Sequence, residues 1–270
     1  MHLFFCAETE KKMKQFTLKE LVKRKLDETY IIVYAIKNEV NIKKAEIIEK
    51  SDVYTFVGVD IKGNRQFINI YQDRPLNKHF WLDCFENLKS RGLKNILFLS
   101  VDDNKNIKRT AKIAFPEIVF VDSLTDIAPK FYKYTSERSS KNVVGKIRAL
   151  YTQKTITEYK ESLKSFKTTY NNVIHQKLIE KYLNNVEAIY KYSYNIRLLI
   201  FKHSANMEFY DRIRISFNQN NQYIQEIDEI YDKLKEKNIN KYFGFTSFQK
   251  KEWTLILNDI IQMYPQLELI

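Results

Sequence analysis

The sequence contains few of the residues that interrupt or cross-link a chain. Only five glycines and four prolines occur among 270 residues, so no flexible linker divides it. Two cysteines, Cys6 and Cys84, are too few for a disulfide framework or a four-cysteine metal site, which favours a reducing compartment. No apolar run approaches the roughly 18 residues of a membrane-spanning helix, and the first residues lack a signal-peptide pattern. We therefore expect a cytoplasmic protein without membrane association.

Several catalytic signatures are also missing from the sequence. It has no glycine-rich phosphate-binding loop and no Ser/His/Asp arrangement. The four histidines are scattered without the spacing of metal ligands, and we expect them to be structural or at the surface: His2, His79, His175 and His203.

Positive charge is what the sequence has in excess. The net charge is +12, and this excess favours an acidic partner, nucleic acid before an anionic membrane. A solvated basic surface without any such partner is the alternative. The chain is long enough, and at 44% hydrophobic residues apolar enough, to bury a substantial core.

The first half of the chain contains five runs with the composition of strands. Gly63 and Asn64 lie between the second and third runs, where they predict a hairpin turn and therefore an antiparallel pair. The predicted strands cover 30–40, 54–61, 65–71, 95–101 and 118–124.

Helical patterns separate the later strands and dominate the second half. A helix is predicted over 75–92, with Pro75 in its first turn and Gly92 just beyond its end, and a second one over 107–115. Four further helices are predicted over 16–28, 155–170, 174–192 and 220–238, and a last one over 248–263. The order strand, hairpin, helix, strand, helix, strand predicts an α/β fold with a ribonuclease H-like mixed five-stranded sheet.

This order of elements predicts four segments along the chain. A basic N-terminal helical segment covers 1–29, and the ribonuclease H-like core strands and helices cover 30–124. A helical insertion follows over 125–203, and C-terminal helices that complete the core cover 204–270.

Two carboxylates follow directly after the fourth predicted strand. Asp102 and Asp103 end the apolar run "NILFLSV" and are followed by Asn104. Carboxylates at the carboxyl end of a strand are suitable ligands for Mg²⁺, and phosphodiester chemistry uses two such ions about 3.5–4 Å apart. The structural alternative is that Asp102 caps the following helix or forms an Asx turn, with Asp103 in a solvated loop.

Several segments resemble Mutator-type bacterial insertion-sequence transposases. "FENLKSRGLKNILFLSVDD" with the later "AFPEIVFV" is similar to the family's helix and strand that bear a catalytic Asp. "YTFVGVDIKGNRQFINIY" resembles the family's hairpin, and "KHSANMEFYDRIR" resembles the region of its third acid. The resemblance implies a metal-dependent DNA transposase that uses two Asp and one Glu to bind Mg²⁺ and that acts on DNA.

The resemblance also implies that two of the three catalytic positions are changed. Asp102 matches the second Asp, whereas Tyr34 in "YIIVYAI" and Met207 occupy the other two positions. A neutral phenol and a thioether are poor ligands for Mg²⁺, so we expect this chain to bind the ion poorly. Glu208 lies one residue from the third position, about 100° around a helix, and could replace the lost acid only after a register shift.

The N-terminal region departs from the family as well. The resemblance implies a helical DNA-binding region before the first catalytic strand, but only about 29 residues precede Tyr30. We expect DNA contacts from basic residues elsewhere: Lys130, Lys133, Arg138, Arg212 and Arg214.

Three hypotheses about function follow from these patterns. The first is a DNA-associated, catalytically degenerate transposase of a mobile element. The second is an active transposase in which Glu208, with Asp60 or Asp103, rebuilds the metal site, although a turn role is favoured for Asp60. The third is a non-enzymatic interaction protein whose helical insertion mediates association, including association into a homo-oligomer.

Overall fold

The structure is a computed structural model that describes residues 17–44, 46–122, 127, 130–131, 134, 137–183, 187–204, 227–236, 250–265 and 267. Within these ranges no helix is long and apolar enough to cross a bilayer.

A mixed five-stranded sheet forms the centre of the molecule, as predicted. The strands are β1 Thr29–Lys44, β2 Ile47–Asp60, β3 Arg65–Gln72, β4 Asn95–Ser100 and β5 Val119–Val121. Their order is β3-β2-β1-β4-β5. β1, β2 and β3 pair antiparallel, whereas β4 pairs parallel with β1 and with β5. This topology puts the carboxyl ends of β1, β3, β4 and β5 at one edge of the sheet, together with the start of β2.

The β1–β2 hairpin is longer than the sequence pattern predicted. Its ladder continues to the pair Lys44 and Ile47, beyond the last pairs that β2 makes with β3 and that β1 makes with β4. The polar stretch "EKSD" within β2 does not alternate apolar and polar residues, which is why the strand was predicted to begin only at 54.

Ten helices surround the sheet in the described ranges. They are α1 Leu18–Leu21, α2 Phe80–Ser90, α3 Lys105–Ala114, α4 Glu137–Tyr151, α5 Ile156–Thr169, α6 Val173–Tyr182, α7 Glu187–Tyr190, α8 Tyr194–Ser204, α9 Ile227–Glu236 and α10 Lys250–Met263.

Alternate residues of β1 face two separate core clusters. Ile32, Tyr34 and Ile36 pack with residues of α4 to α6 and α8 to α10, whereas Val33 and Ala35 pack with residues of α2 and α3. Because successive strand residues point to opposite faces, the sheet lies between two helical layers. The first of these is called the α4–α10 face below, and the second the α2–α3 face.

The N-terminal helix is much shorter than predicted. Instead of covering 16–28, it ends at Leu21. The buried Arg91 guanidinium donates to the carbonyls of Leu21 and Arg24, and Leu26 N–H donates to the Arg91 carbonyl. These bonds tie the segment to the end of α2 in place of further helical turns.

The start of α2 also differs from the prediction, while its end agrees. Asn77 forms turns before the helix, with its side chain accepting from His79 N–H, so α2 begins at Phe80 and Pro75 lies outside it. Gly92 has φ +106° directly after the helix, as expected for a left-handed C-terminal cap.

The helix predicted over 174–192 ends at Tyr182 instead. Tyr151 donates its hydroxyl to the carbonyl of Tyr182, and Tyr159 donates to that of Leu183. A continuing helix would need both carbonyls for its own hydrogen bonds, so these tyrosines stabilise the end of α6. The helices predicted over 155–170, 220–238 and 248–263 are confirmed where the structure describes them.

The predicted hairpin turn is confirmed, and the last helix packs against it. Gly63 has φ +83°, and a Cβ there would lie 2.7 Å from Cδ2 of Trp253. Trp253 Nε1 donates to the carbonyl of Ile61 at 3.1 Å. The turn therefore requires glycine for its backbone and for space.

Candidate functional site

Asp102 lies at the loop that joins β4 to α3. Tyr34 on β1 pairs with Ser100, the last residue of β4, so β1 and β4 are neighbouring central strands and Asp102 lies two residues beyond the partner of Tyr34. Asp102 Oδ1 accepts from the backbone N–H of Asn104 at 3.2 Å, which is the Asx turn of the structural alternative. The helix cap, however, is Asn104, whose side chain accepts from two N–H groups of α3.

The Asp102 carboxylate is bound by protein donors. The Tyr54 hydroxyl lies 3.2 and 3.1 Å from its two oxygens. The Lys37 ammonium lies 3.8 Å from Oδ2, and the Asp102 side chain is 16% exposed. Burial, reinforced by the negative charge of Asp102, raises the pKa of Tyr54 well above its usual value, so the phenol remains a donor at neutral pH.

Two more carboxylates belong to the same polar network. Asp52 Oδ2 lies 2.6 Å from Lys37 Nζ. Asp73 accepts from Trp81 Nε1 at 2.8 Å and from Asn104 Nδ2 at 3.3 Å. Asn104 Nδ2 also donates to the Tyr54 hydroxyl at 3.1 Å. Each of the three carboxylates therefore accepts from protein donors, and Lys37 and Asn104 each serve two of them.

The Asp103 side chain contacts a different set of residues from the Asp102 side chain. Its Oδ2 lies 3.1 Å from Lys181 Nζ, 3.1 Å from the Tyr182 hydroxyl and 3.8 Å from Lys130 Nζ. Desolvation acts to raise the pKa of Asp103, but the hydrogen bonds from Lys181 and Tyr182 and the two lysine charges outweigh it and lower the pKa. A hydrogen bond with Tyr182, followed by the hydrogen bond and charge of Asp103, raises the pKa of Lys181 to about 12.

Neither Tyr34 nor Asp60 lies close to the Asp102 carboxylate. The Tyr34 side chain packs on the α4–α10 face, where its hydroxyl donates to the Leu199 carbonyl at 3.3 Å. Tyr54, the partner of Asp102, packs on the α2–α3 face. Asp60 lies six residues further along β2 than Tyr54, about 20 Å at the usual rise. It accepts from both Asn64 N and Asn64 Nδ2, which is the predicted turn role.

Several predicted site residues lie outside the described residues. These are Met207, Glu208, Lys133, Arg212 and Arg214; for Arg138, in α4, only the backbone is described. Lys130 is described, and its ammonium donates to the Tyr182 hydroxyl at 2.8 Å.

The described residues do not assemble a set of metal ligands. Within the ranges given above, no group of three or more His, Cys, Asp or Glu side chains could hold a metal ion. Asp52, Asp73 and Asp102 are at the same edge of the sheet, but Lys37, Trp81, Tyr54 and Asn104 supply their donors. Among the described residues the donor set therefore does not fit a two-ion site.

Comparison of the sequence with known proteins identifies the family of this chain. The family model described as "Transposase, Mutator family" matches residues 6–214, more than half of the chain. The chain belongs to the Mutator family of transposases. One relative is a probable transposase for the insertion sequence element ISRM3-like of Sinorhizobium fredii, 22% identical over 67% of this chain and 46% of the relative.

Two other relatives are also insertion-sequence transposases. The transposase for ISRM3 of Rhizobium meliloti is 20% identical over 67% of this chain and 46% of the relative. The transposase for IS1201 of Lactobacillus helveticus is 25% identical over 68% of this chain and 50% of the relative. The chain therefore spans about half the length of the relatives it matches.

Five members of the network around Asp102 in this Mutator-family chain were not predicted from the sequence: Lys37, Asp52, Tyr54, Asp73 and Trp81. One signal was present, because Asp73 follows the end of β3 just as Asp102 follows β4, and both strand ends lie at one edge in the predicted topology. The partners on β1 and β2 required the strand register, which short sequence patterns do not fix.

Proposed function

We propose that this Mutator-family chain is a DNA-associated protein with a ribonuclease H-like core and without a working site for metal-dependent strand cleavage. The order β3-β2-β1-β4-β5, with three antiparallel strands followed by two parallel additions, supports the core assignment. The family match supports a transposase origin in a mobile element.

The observation that carries this proposal is the environment of Asp102. Its two oxygens accept from Tyr54 and from the Asn104 N–H, and Lys37 is the cation nearest to them among the described contacts. A two-ion mechanism requires carboxylates whose free lone pairs converge on the ions. The aligned Tyr34 hydroxyl, in contrast, is bonded on the other face of the sheet.

The association with DNA rests on charge and on family. A net charge of +12 neutralises phosphates without reading bases, so we expect affinity that falls steeply with salt and depends little on sequence. DNA is the substrate class implied by the transposases to which the chain is similar.

Two of the acids on which the active alternative depends, Asp60 and Asp103, are poorly placed to rebuild a site. Asp60 stabilises a turn at the opposite end of β2, and Asp103 is paired with lysines. Glu208 remains the substitute that this alternative requires.

A strand-cleavage assay tests the proposal. The purified chain is incubated with labelled duplex DNA and Mg²⁺ or Mn²⁺, and we expect no cleavage and no joining. Parallel titrations at several salt concentrations should show salt-dependent binding. Metal-dependent cleavage that is abolished by Asp102→Ala or Glu208→Ala would establish the active alternative instead. Absence of DNA binding at low salt would favour the non-enzymatic interaction protein.

A further inference from the structure

Two lysines and a tyrosine converge on one oxygen of Asp103. Lys130, Lys181 and Tyr182, called the Asp103 cradle below, all direct their polar groups at Oδ2. Convergence of two ammonium groups and a hydroxyl on a single acceptor atom is the arrangement that binds a phosphate oxygen as well as a carboxylate oxygen.

Tyr182 holds the two lysines in place. The Lys130 ammonium lies 4.4 Å from the centre of the Tyr182 ring, and the Lys181 ammonium lies 4.9 Å from it. Tyr182 is itself buried, and its carbonyl accepts from the buried Tyr151 hydroxyl at 3.0 Å. The core therefore fixes the Tyr182 ring against which both lysines lie, which lowers the entropic cost of binding an anion.

The charged groups of the cradle remain open to solvent. The side chains of Lys130, Lys181 and Asp103 are 37%, 59% and 52% exposed. An external anion can thus reach both ammonium groups, but it must compete with the carboxylate that is already there.

We propose that the Asp103 cradle binds a backbone phosphate of DNA and that Asp103 weakens this binding by occupying the cradle from within the chain. This inference rests on the proposed association with DNA. It assigns a particular place on the surface to part of the salt-dependent affinity. It also gives Asp103, the neighbour of Asp102, an inhibitory role that needs no metal.

The expected effect of removing the competing charge is moderate. Exposed ion pairs hold their partners weakly, so we expect Asp103→Asn to tighten DNA binding by about three- to tenfold, for two released lysines. The salt dependence should steepen, because one further phosphate contact adds about 0.9 to the slope of log affinity against log salt.

The experiment measures binding of a short labelled duplex by fluorescence anisotropy at several salt concentrations. The matched control is Glu86→Gln, which also removes one negative charge and releases one paired lysine, Lys89, at 3.3 Å. We expect Asp103→Asn to tighten binding and Glu86→Gln to change it by less than about twofold. Adding Lys181→Gln to Asp103→Asn should abolish the gain.

A second variant provides a test that does not depend on Asp103→Asn. Lys181→Gln alone should weaken DNA binding more than Lys89→Gln, since both lysines are exposed and ion-paired but only Lys181 belongs to the cradle.

If the unmodified protein binds DNA while Asp103→Asn matches Glu86→Gln, or Lys181→Gln matches Lys89→Gln, the cradle assignment is wrong and the DNA association stands. If neither the unmodified protein nor Asp103→Asn binds DNA at low salt, the proposed association is wrong, and the cradle assignment is overturned with it.

Discussion

Replacing Tyr54 by phenylalanine removes the hydroxyl that holds Asp102. Tyr54 is 1% exposed, and its hydroxyl both donates to the Asp102 carboxylate and accepts from Asn104 Nδ2. A hydrogen bond to a charged group contributes about 1.5–3 kcal/mol. The Asp102 side chain is 16% exposed, so water replaces the lost donor only in part. We therefore expect Tyr54→Phe to lower the free energy of unfolding by about 2 kcal/mol.

The matched control is Tyr151→Phe. That hydroxyl is equally buried but donates to a neutral backbone carbonyl, at 3.0 Å, so its loss should cost about 1 kcal/mol. Urea denaturation followed by circular dichroism measures both changes, and Tyr54→Phe should lower the melting temperature by about 4–8 °C.

A double-mutant cycle then separates the contact from general loss of packing. Tyr54→Phe combined with Asp102→Asn should be less destabilising than the sum of the single changes by about 1 kcal/mol, because both remove the same charged hydrogen bond. Additive effects, within about 0.5 kcal/mol, would show that Tyr54 does not hold the carboxylate and would refute this account of the site.

Further predictions concern the turn, the N-terminal segment and pH. Gly63→Ala should destabilise the protein by about 2 kcal/mol or more, because alanine strains the positive φ and its Cβ meets Trp253. Gly145→Ala, in α4 with open space around it, should stabilise the protein by about 0.5–1 kcal/mol. Thermal unfolding measures both changes. Arg91→Lys loses the fork that binds N-terminal carbonyls and should speed limited proteolysis there. Because folding lowers the pKa of Asp103, its carboxylate stabilises the folded state at pH values above the unfolded pKa of 3.8. Denaturation at a series of pH values measures the free energy of unfolding. The difference in this free energy between the unmodified protein and Asp103→Asn should shrink as the pH falls through the folded pKa of Asp103.

The sheet and most helices were predictable because their signals are local. Alternation of apolar residues, the Gly63 turn and the Gly92 cap gave five strands and α2 without any knowledge of contacts. Two of the errors occurred where distant groups take backbone hydrogen bonds, as Arg91 does beside α1 and Tyr151 does at the end of α6. Local propensity does not contain such contacts.

The candidate site was predictable only in its position. The apolar run before Asp102 predicted a strand that ends at a carboxylate. The structure has this strand as β4, and Asp102 follows its carboxyl end. The partners Tyr54 and Lys37 come from other strands, and the opposite directions of Asp102 and Asp103 depend on the geometry of one loop. Neighbouring acids in a sequence therefore do not predict a shared function.

Titration of the protein with Mn²⁺, followed by electron paramagnetic resonance, tests the central claim most directly, because it reports ions bound rather than activity. The unmodified protein and Asp102→Asn should bind the ion equally weakly, since the Asp102 oxygens already accept from Tyr54 and Asn104. Stoichiometric Mn²⁺ binding by the unmodified protein that is lost in Asp102→Asn would contradict the account.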